Sequence, residues 1–172
     1  NTVFSINSKK KIKQKNISYK YIFLLIKPNV FLKKSSHFKN FISQDSKIIS
    51  CMAGIKLLTI CNNLGNKNVI RIMPNVMAKQ NKSQTFVFAK NKKILNRSFD
   101  KLIKTFGSIH YTYNEDQINI ATSIFGSGPA FIAYLIKSYI EAEKNLSKKN
   151  RLKDIDLMNL FNNVLSANQN SK

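Results

Sequence analysis

Three short, mostly apolar runs in the first half of the chain predict buried β-strands. They cover Tyr21–Ile26, Lys47–Met52 and Asn68–Met73, and a proline or glycine follows each within two residues. Continuous apolar runs of this length are typical of strands covered on both faces, as in a parallel sheet.

Helical patterns separate the strands. After the second run, apolar residues recur at three- and four-residue spacing, with Gly65 as the stop: Leu57, Leu58, Cys61 and Leu64. A second apolar helix face, closed by Gly107, lies between predicted strands Thr85–Ala89 and Ser108–Tyr113: Leu95, Phe99, Leu102, Ile103 and Phe106. Strands alternating with helices predict a parallel α/β sheet with right-handed crossovers.

The pattern becomes helical after Asn114, which is a suitable N-cap, with Glu115 and Asp116 at the positive end of the helix. The helical pattern continues to Leu165, broken only at Gly126-Ser127-Gly128-Pro129 and at a polar hinge near 147–150. Pro129 suits the first turn of a helix, where its missing N–H costs little.

These patterns predict three regions. Residues 1–18 are rich in lysine and serine and form a flexible basic arm, in which Thr2–Ile6 is a possible remnant strand. Residues 19–113 form the sheet-based domain, and residues 114–172 form a helical domain. Because the chain does not begin with Met and no complete opening element precedes residue 20, we expect a fragment, a split reading frame or a processed chain.

The formal net charge of +21 suggests a polyanion partner, but the type of charge argues against a specific one. Lysine supplies 26 of the 29 basic residues, whereas base-edge recognition favours arginine. Asparagine is also frequent, with 22 copies, and both residues have AT-rich codons. We therefore expect no specific nucleic-acid partner, although a nonspecific basic nucleic-acid binder stays open as an alternative.

Cysteine and histidine are too few and too scattered to predict a metal site. Cys51 and Cys61 form no C-x-x-C pair, and His37 and His110 lie far apart. No apolar stretch approaches the length needed to span a bilayer. We expect a soluble, cytoplasmic chain without a membrane partner.

Four strings, in order, resemble the pyrroline-5-carboxylate reductases. Leu24–Pro28 resembles their Leu-Ala-Val-Lys-Pro strand end, and Ser50–Ile55 their Ser-Ile-Ala-Ala-Gly-Ile segment. Arg71–Asn75 is similar to Arg-Val-Met-Pro-Asn, and Ala121–Phe131 to Thr-Ala-Leu-Ser-Gly-Ser-Gly-Pro-Ala-Tyr. The resemblance covers residues 20 to about 167.

The resemblance implies a partial Rossmann-like NAD(P)-binding domain followed by a helical dimerisation domain, with homo-oligomers formed through the helices. It implies that Ile26, Lys27, Ala53 and Asn75 contact NADPH or NADH, and that Glu115 contacts the small-molecule substrate. The implied reaction is hydride transfer to 1-pyrroline-5-carboxylate, which gives L-proline in proline biosynthesis. We assign no catalytic residue and no metal ligand.

The departures from the family pattern bear on activity. No G-x-G-x-x-G occurs, and the chain ends at Lys172, before the family's Pro-Gly-Gly segment that holds the substrate carboxylate. We therefore expect these 172 residues to be inactive alone. A noncatalytic remnant or helical interaction module is the first alternative, and the nonspecific nucleic-acid binder is the second.

Overall fold

The computed structural model describes residues 19–146 and 154–169. The predicted basic arm with its Thr2–Ile6 strand, and the hinge near 147–150, lie outside the described residues. The strands are β1 Tyr21–Leu24, β2 Lys47–Ser50, β3 Val69–Met73, β4 Ser83–Phe88 and β5 Gly107–Tyr111. The helices are α1 Pro28–Lys39, α2 Leu57–Leu64, α3 Arg97–Ile103, α4 Asp116–Ala121, α5 Gly128–Leu146 and α6 Asp154–Gln169.

The five strands form one sheet in the order β1-β2-β3-β4-β5. β1 pairs parallel with β2, in the register Tyr21 with Lys47, and β2 pairs parallel with β3. Helix α2 ends where the apolar spacing predicts, because Gly65 takes a left-handed φ of 68° and its N–H bonds to the carbonyl of Cys61. The predicted parallel α/β sheet is confirmed over these three strands.

The sheet departs from a wholly parallel arrangement at β4, which pairs antiparallel with β3. The connection between them holds only a short 3₁₀ helix, Val76–Gln80, whereas a parallel crossover needs a dozen or more residues. The longer connection through α3 returns the chain in the same direction, so β5 is parallel to β4.

Two apolar layers cover the two faces of the sheet. Helices α1 and α2 pack on one face, where Phe31 and Ile60 are fully buried with Ile48 of β2. Helix α3 packs on the other, where Phe99 and Ile103 are fully buried. Alternate residues of each strand therefore enter opposite cores.

A glycine is required where β5 begins beside β4. Gly107 has a φ of 139°, and a Cβ placed there would lie 2.2 Å from the carbonyl oxygen of Ser83. No other residue fits this backbone conformation and this close approach. Gly107 thus ends the α3 segment and starts the last strand.

Asn114 and Gln117 together close the start of α4. Asn114 Oδ1 accepts from the Gln117 N–H at 3.1 Å, and Gln117 Oε1 accepts from the Tyr113 N–H at 2.7 Å and the Asn114 N–H at 3.4 Å. This reciprocal arrangement is a capping box, so the predicted capping role of Asn114 is confirmed.

The expected interruption at Gly126–Pro129 is confirmed as the start of a second helix, because Ser127 is a turn residue and α5 begins at Gly128. A π-helical turn, Thr122–Gly126, precedes it. Pro129 lies at the second position of α5, where its missing N–H is tolerated. The helical segment Asp116–Leu146 is nevertheless long and apolar enough to cross a membrane by length and composition, which corrects the expectation that no such stretch exists. This criterion is weak evidence, because helices of soluble proteins also meet it.

Contacts divide the chain into two compact units, with the boundary between Thr122 and Ser123. The first unit contains the sheet, helices α1 to α3, and α4, which buries Ile118 and Ala121. In the second unit, α5 and α6 contact each other, and the rings of Tyr139 and Phe161 meet edge to face at 5.4 Å. The predicted domain boundary at residue 113 stays a prediction.

Candidate functional site

Four of the predicted site residues follow the carboxyl ends of three parallel strands. Ile26 and Lys27 follow β1, Ala53 follows β2 and Asn75 follows β3. Since these strands are parallel and adjacent, their carboxyl ends lie side by side, and the four residues lie along this strand-end edge of the sheet. Ligands of open α/β sheets bind at this edge.

Lys27 is the exposed N-cap residue of α1, and it has no side-chain capping bond. Its carbonyl accepts hydrogen bonds from the N–H groups of Val30 at 3.0 Å and Phe31 at 3.1 Å. Pro28 contributes no N–H at all, so the first turn of α1 offers few free donors to an anion. The ammonium group of Lys27 is therefore the main positive feature of this helix start.

Ala53 and Gly54 form an exposed turn between β2 and α2. Gly54 has a φ of 72°, a conformation that glycine adopts readily, and a Cβ placed there would meet no atom within 4 Å. The turn therefore presents open backbone at the strand-end edge.

Asn75 is partly buried and engaged by its own chain. Its N–H donates to Ser83 Oγ at 3.0 Å, and its Oδ1 accepts from the Met77 N–H at 3.0 Å. The second bond caps the 3₁₀ helix that follows β3. The capping bond therefore accounts for the position of the side chain. Because that bond uses Oδ1, a ligand would contact the carboxamide nitrogen.

Glu115 lies in a buried ion pair with Arg71. Its Oε1 is 2.6 Å from Arg71 Nη1 and accepts from the Leu57 N–H at 2.5 Å. The carboxylate therefore joins the middle of β3 to the positive end of α2. Glu115 thus occupies the first N–H of α2, at the helix end that attracts anions.

Sequence reasoning missed this pair. Arg71 is 1% exposed, and its Nε and Nη2 atoms have no hydrogen-bond partner among the described residues. An arginine inside a five-residue strand that is buried throughout requires a counter-charge. The sequence does carry a signal for this pair, because the chain has only eight acidic residues that could supply the counter-charge of Arg71.

Neither cysteine of the chain is activated. Burial raises the pKa of the Cys51 thiol to about 12. Burial also raises the pKa of Cys61, with a smaller upward contribution from the charge of Glu115. Among the described residues, no cluster of three or more potential metal ligands occurs. Burial thus disfavours the thiolate form of both cysteines.

The described residues lack part of what a dinucleotide site requires. The open turn at Ala53 and the exposed Lys27 lie where the parallel strands end, whereas the sequence contains no G-x-G-x-x-G turn for the pyrophosphate. The first N–H of α2 is bound by Glu115. These residues by themselves do not form a complete dinucleotide site.

Comparison with curated proteins gives a consistent set of relatives. The chain is 32% identical over 144 residues to the pyrroline-5-carboxylate reductase of Staphylococcus epidermidis, and 34% identical to that of Staphylococcus aureus. Each match covers 82% of this chain and 53% of the relative. The chain thus spans about half the length of the curated relatives it matches. No protein-family model matches it.

Solved structures agree on the fold. The Streptococcus pyogenes pyrroline-5-carboxylate reductase is 27% identical, with a TM-score of 0.64 over 87% of this chain and 56% of its own. The Plasmodium falciparum enzyme, solved with NADP bound, is 21% identical, with a TM-score of 0.68 over 94% of this chain and 66% of its own. In sequence and in fold, this chain is similar to pyrroline-5-carboxylate reductases over about half of their length.

Proposed function

We propose that this chain forms the central part of an NAD(P)H-dependent reductase that converts 1-pyrroline-5-carboxylate to L-proline. The main support is the placement of the predicted contacts Ile26, Lys27, Ala53 and Asn75 along one strand-end edge. When bound, NADPH or NADH would supply a hydride to C5 of the imine, whose ring nitrogen would take up a proton. The chain's own residues position the reactants.

In this proposal, Lys27 and the open turn at Ala53 contact the nicotinamide half of NADPH or NADH, with Ile26 and Asn75 beside them. Such contacts are too few to offset the entropy that a large flexible ligand loses on binding. No step of the reaction is therefore assigned to these 172 residues acting alone.

Glu115 is the proposed substrate contact. Both of its hydrogen bonds use Oε1, so Oε2 is the oxygen that would face the ring nitrogen of a proline-like ligand. The side chain is 23% exposed, which leaves an approach for a small molecule. Arg71 then acts as a positioning residue, because its guanidinium fixes the carboxylate.

A chimeric enzyme tests this function directly. The 144 matched residues of the Staphylococcus epidermidis reductase would be replaced by the corresponding residues of this chain, and NADPH oxidation with 1-pyrroline-5-carboxylate would be measured. We expect imine-dependent turnover, at least tenfold weaker with Lys27→Ala but unchanged with Lys33→Ala, an exposed lysine within α1. A folded chimera with no turnover contradicts the proposal.

We further propose that the chain self-associates through its helical part. The α5 side chains of Phe131, Tyr134, Leu135 and Tyr139 are between 49% and 73% exposed, which is unusual for a solvated helix. Lys137 and Lys144 balance Glu141 and Glu143 on the same helix. Two copies can therefore approach there without strong charge repulsion.

A cytoplasmic location fits this proposal, and a membrane-spanning role for Asp116–Leu146 is the alternative to self-association. The alternative concerns the uncharged residues 117–136 of this segment, because the charged residues of α5 begin only at Lys137. Flotation with phosphatidylcholine vesicles distinguishes the two: we expect the chain to stay with the unbound protein, and stable co-flotation contradicts self-association as the reason for the apolar face.

The lysine excess supports only a nonspecific interaction with nucleic acid. Binding that arises from charge alone weakens steeply as salt rises and does not depend on base sequence. Titration with two RNA sequences across a salt series tests this, and selective binding near physiological salt would favour the nucleic-acid alternative.

A further inference from the structure

The connection between β3 and β4 is closed by a serine hydroxyl. The backbone pairing of the two strands ends at Met73 with Phe86, and Pro74, which follows, has no N–H to continue it. The next donor is the N–H of Asn75, which donates to Ser83 Oγ at 3.0 Å. A side chain thus takes over where the backbone ladder stops.

Ser83 itself has little freedom to move. Its side chain is fully buried, and its Oγ lies 3.1 Å from the Oγ1 of Thr85, which is also fully buried. In the sheet Ser83 pairs with Gly107, and a Cβ on that glycine would lie 2.6 Å from the Ser83 nitrogen. Such close packing holds the start of β4 in place, so the hydroxyl is presented to Asn75 in a fixed position.

Asn75 is therefore held by two bonds. The Ser83 hydroxyl fixes its backbone, and the N–H of Met77 donates to its Oδ1 at 3.0 Å. Asn75 has φ −127° and ψ −179°, within the broad extended region that the backbone alone does not narrow further. The two bonds thus select one conformation and with it the direction of the carboxamide nitrogen.

We infer that Ser83 is a positioning residue for the cofactor: its hydroxyl fixes Asn75 so that the carboxamide nitrogen faces the site proposed for the nicotinamide. The inference rests on the proposed function, in which Asn75 lies beside the nicotinamide half. Ser83 makes no contact with the cofactor itself, because its side chain is fully buried within the sheet. Loss of the hydroxyl leaves the Asn75 N–H without this acceptor and frees the turn to move.

A role in stability alone is the competing explanation, and Ser46 provides the matched comparison. Ser46 is also fully buried, and its Oγ accepts from the Ser43 N–H at 3.0 Å and donates to the Tyr19 carbonyl at 2.7 Å. It lies directly before β2, at the end of the sheet opposite to the proposed contacts. Ser46→Ala therefore removes the same kind of bond to a backbone N–H away from the candidate site.

Hydrogen exchange in the 172-residue chain tests the hold on Asn75. In Ser83→Ala, we expect the Asn75 amide to exchange about tenfold faster or more, because its acceptor is lost. In Ser46→Ala, that rate should change by less than about twofold, although the urea midpoint should fall at least as far, since this hydroxyl makes two bonds to the backbone. An Asn75 rate that is unchanged in Ser83→Ala, or raised equally in both variants, overturns the inference.

Steady-state kinetics of the Staphylococcus epidermidis chimera test the effect on the cofactor. With Ser83→Ala, we expect the KM for NADPH to rise about fivefold or more, while the KM for 1-pyrroline-5-carboxylate stays within about twofold. The second constant is spared because Glu115, the proposed substrate contact, is held by Arg71. With Ser46→Ala, both constants should stay within about twofold.

The other outcomes are also decisive. Equal rises of the two KM values in Ser83→Ala, or a rise of the KM for NADPH in Ser46→Ala as large as in Ser83→Ala, indicate a general loss of structure and overturn the inference. An inactive chimera counts against the proposed function. The Asn75 exchange rates, which are measured without cofactor, then decide whether Ser83 positions Asn75.

Discussion

At the scale of single residues, the Arg71–Glu115 pair is the main electrostatic feature of the first unit. The guanidinium is 1% exposed and 2.6 Å from the carboxylate, which also accepts the first N–H of α2. Such a pair is costly to break, because the partner left behind keeps an uncompensated buried charge. One side chain thus links β3, α2 and the start of α4.

Neutralising Glu115 should strongly destabilise the first unit. Glu115→Gln leaves the Arg71 charge buried without a counter-ion, and we expect the free energy of unfolding to fall by about 3 to 5 kcal/mol. Glu141→Gln is the control, since its 3.6 Å pair with Lys137 is exposed and contributes about 0.5 kcal/mol or less. Urea denaturation followed by circular dichroism measures both. Similar losses in the two variants would contradict the account of the buried pair.

The thiol of Cys51 should make stability depend on pH at the alkaline end. Burial raises its pKa from 9.0 to about 12, so the native thiol stays neutral while the unfolded thiol ionises above pH 9. The stability from this group is complete below pH 9 and is lost as the pH rises towards 12. We expect the difference in unfolding midpoint between the unmutated chain and Cys51→Ala to be constant below pH 9 and to shrink above it. A difference that stays constant to pH 11 contradicts this.

At the scale of elements, the local patterns sufficed for most of the first unit. The apolar runs located β1, β2 and β3, and the spacing from Leu57 to Leu64 with Gly65 gave the exact helix α2. These elements are set by short-range periodicity and capping, which a sequence records directly.

The features that local patterns did not predict depend on contacts between residues far apart in the chain or on the exact course of a connection. The direction of β4 depends on the length of the connection after Met73, which the strand pattern alone does not express. The π-helical turn Thr122–Gly126 resembles a loop in sequence, because serine and glycine are frequent within it and directly after it. The contact between Arg71 and Glu115 joins residues 44 positions apart, so it follows from the fold rather than from any local pattern.

The exposed face of α5 carries the prediction for assembly. Phe131→Asp places an unpaired charge on that face, and we expect it to shift the species towards monomer or aggregate in sedimentation velocity. Lys33→Asp, an exposed change of charge on α1 and outside the proposed face, should leave the distribution unchanged. A soluble monomer for the unmutated chain contradicts self-association through this face.

At the scale of the whole molecule, the proposed nicotinamide contacts stand without anchors for the rest of the ligands in these 172 residues. The proposed contacts lie on one edge, but the 172 residues have no glycine-rich turn for a pyrophosphate, and Glu115 is the wrong charge to hold a substrate carboxylate. Hydride transfer requires donor and acceptor to be held in near-attack geometry. Without both anchors, that geometry is lost.

The rate of NADPH oxidation in the presence of 1-pyrroline-5-carboxylate is the most direct test, measured side by side on the 172-residue chain and on the Staphylococcus epidermidis chimera. We predict no imine-dependent oxidation and no detectable NADPH binding by the chain alone, and imine-dependent oxidation by the chimera that weakens with Lys27→Ala. Turnover by the chain alone that falls with Lys27→Ala, or a folded chimera that is inactive, would contradict the account.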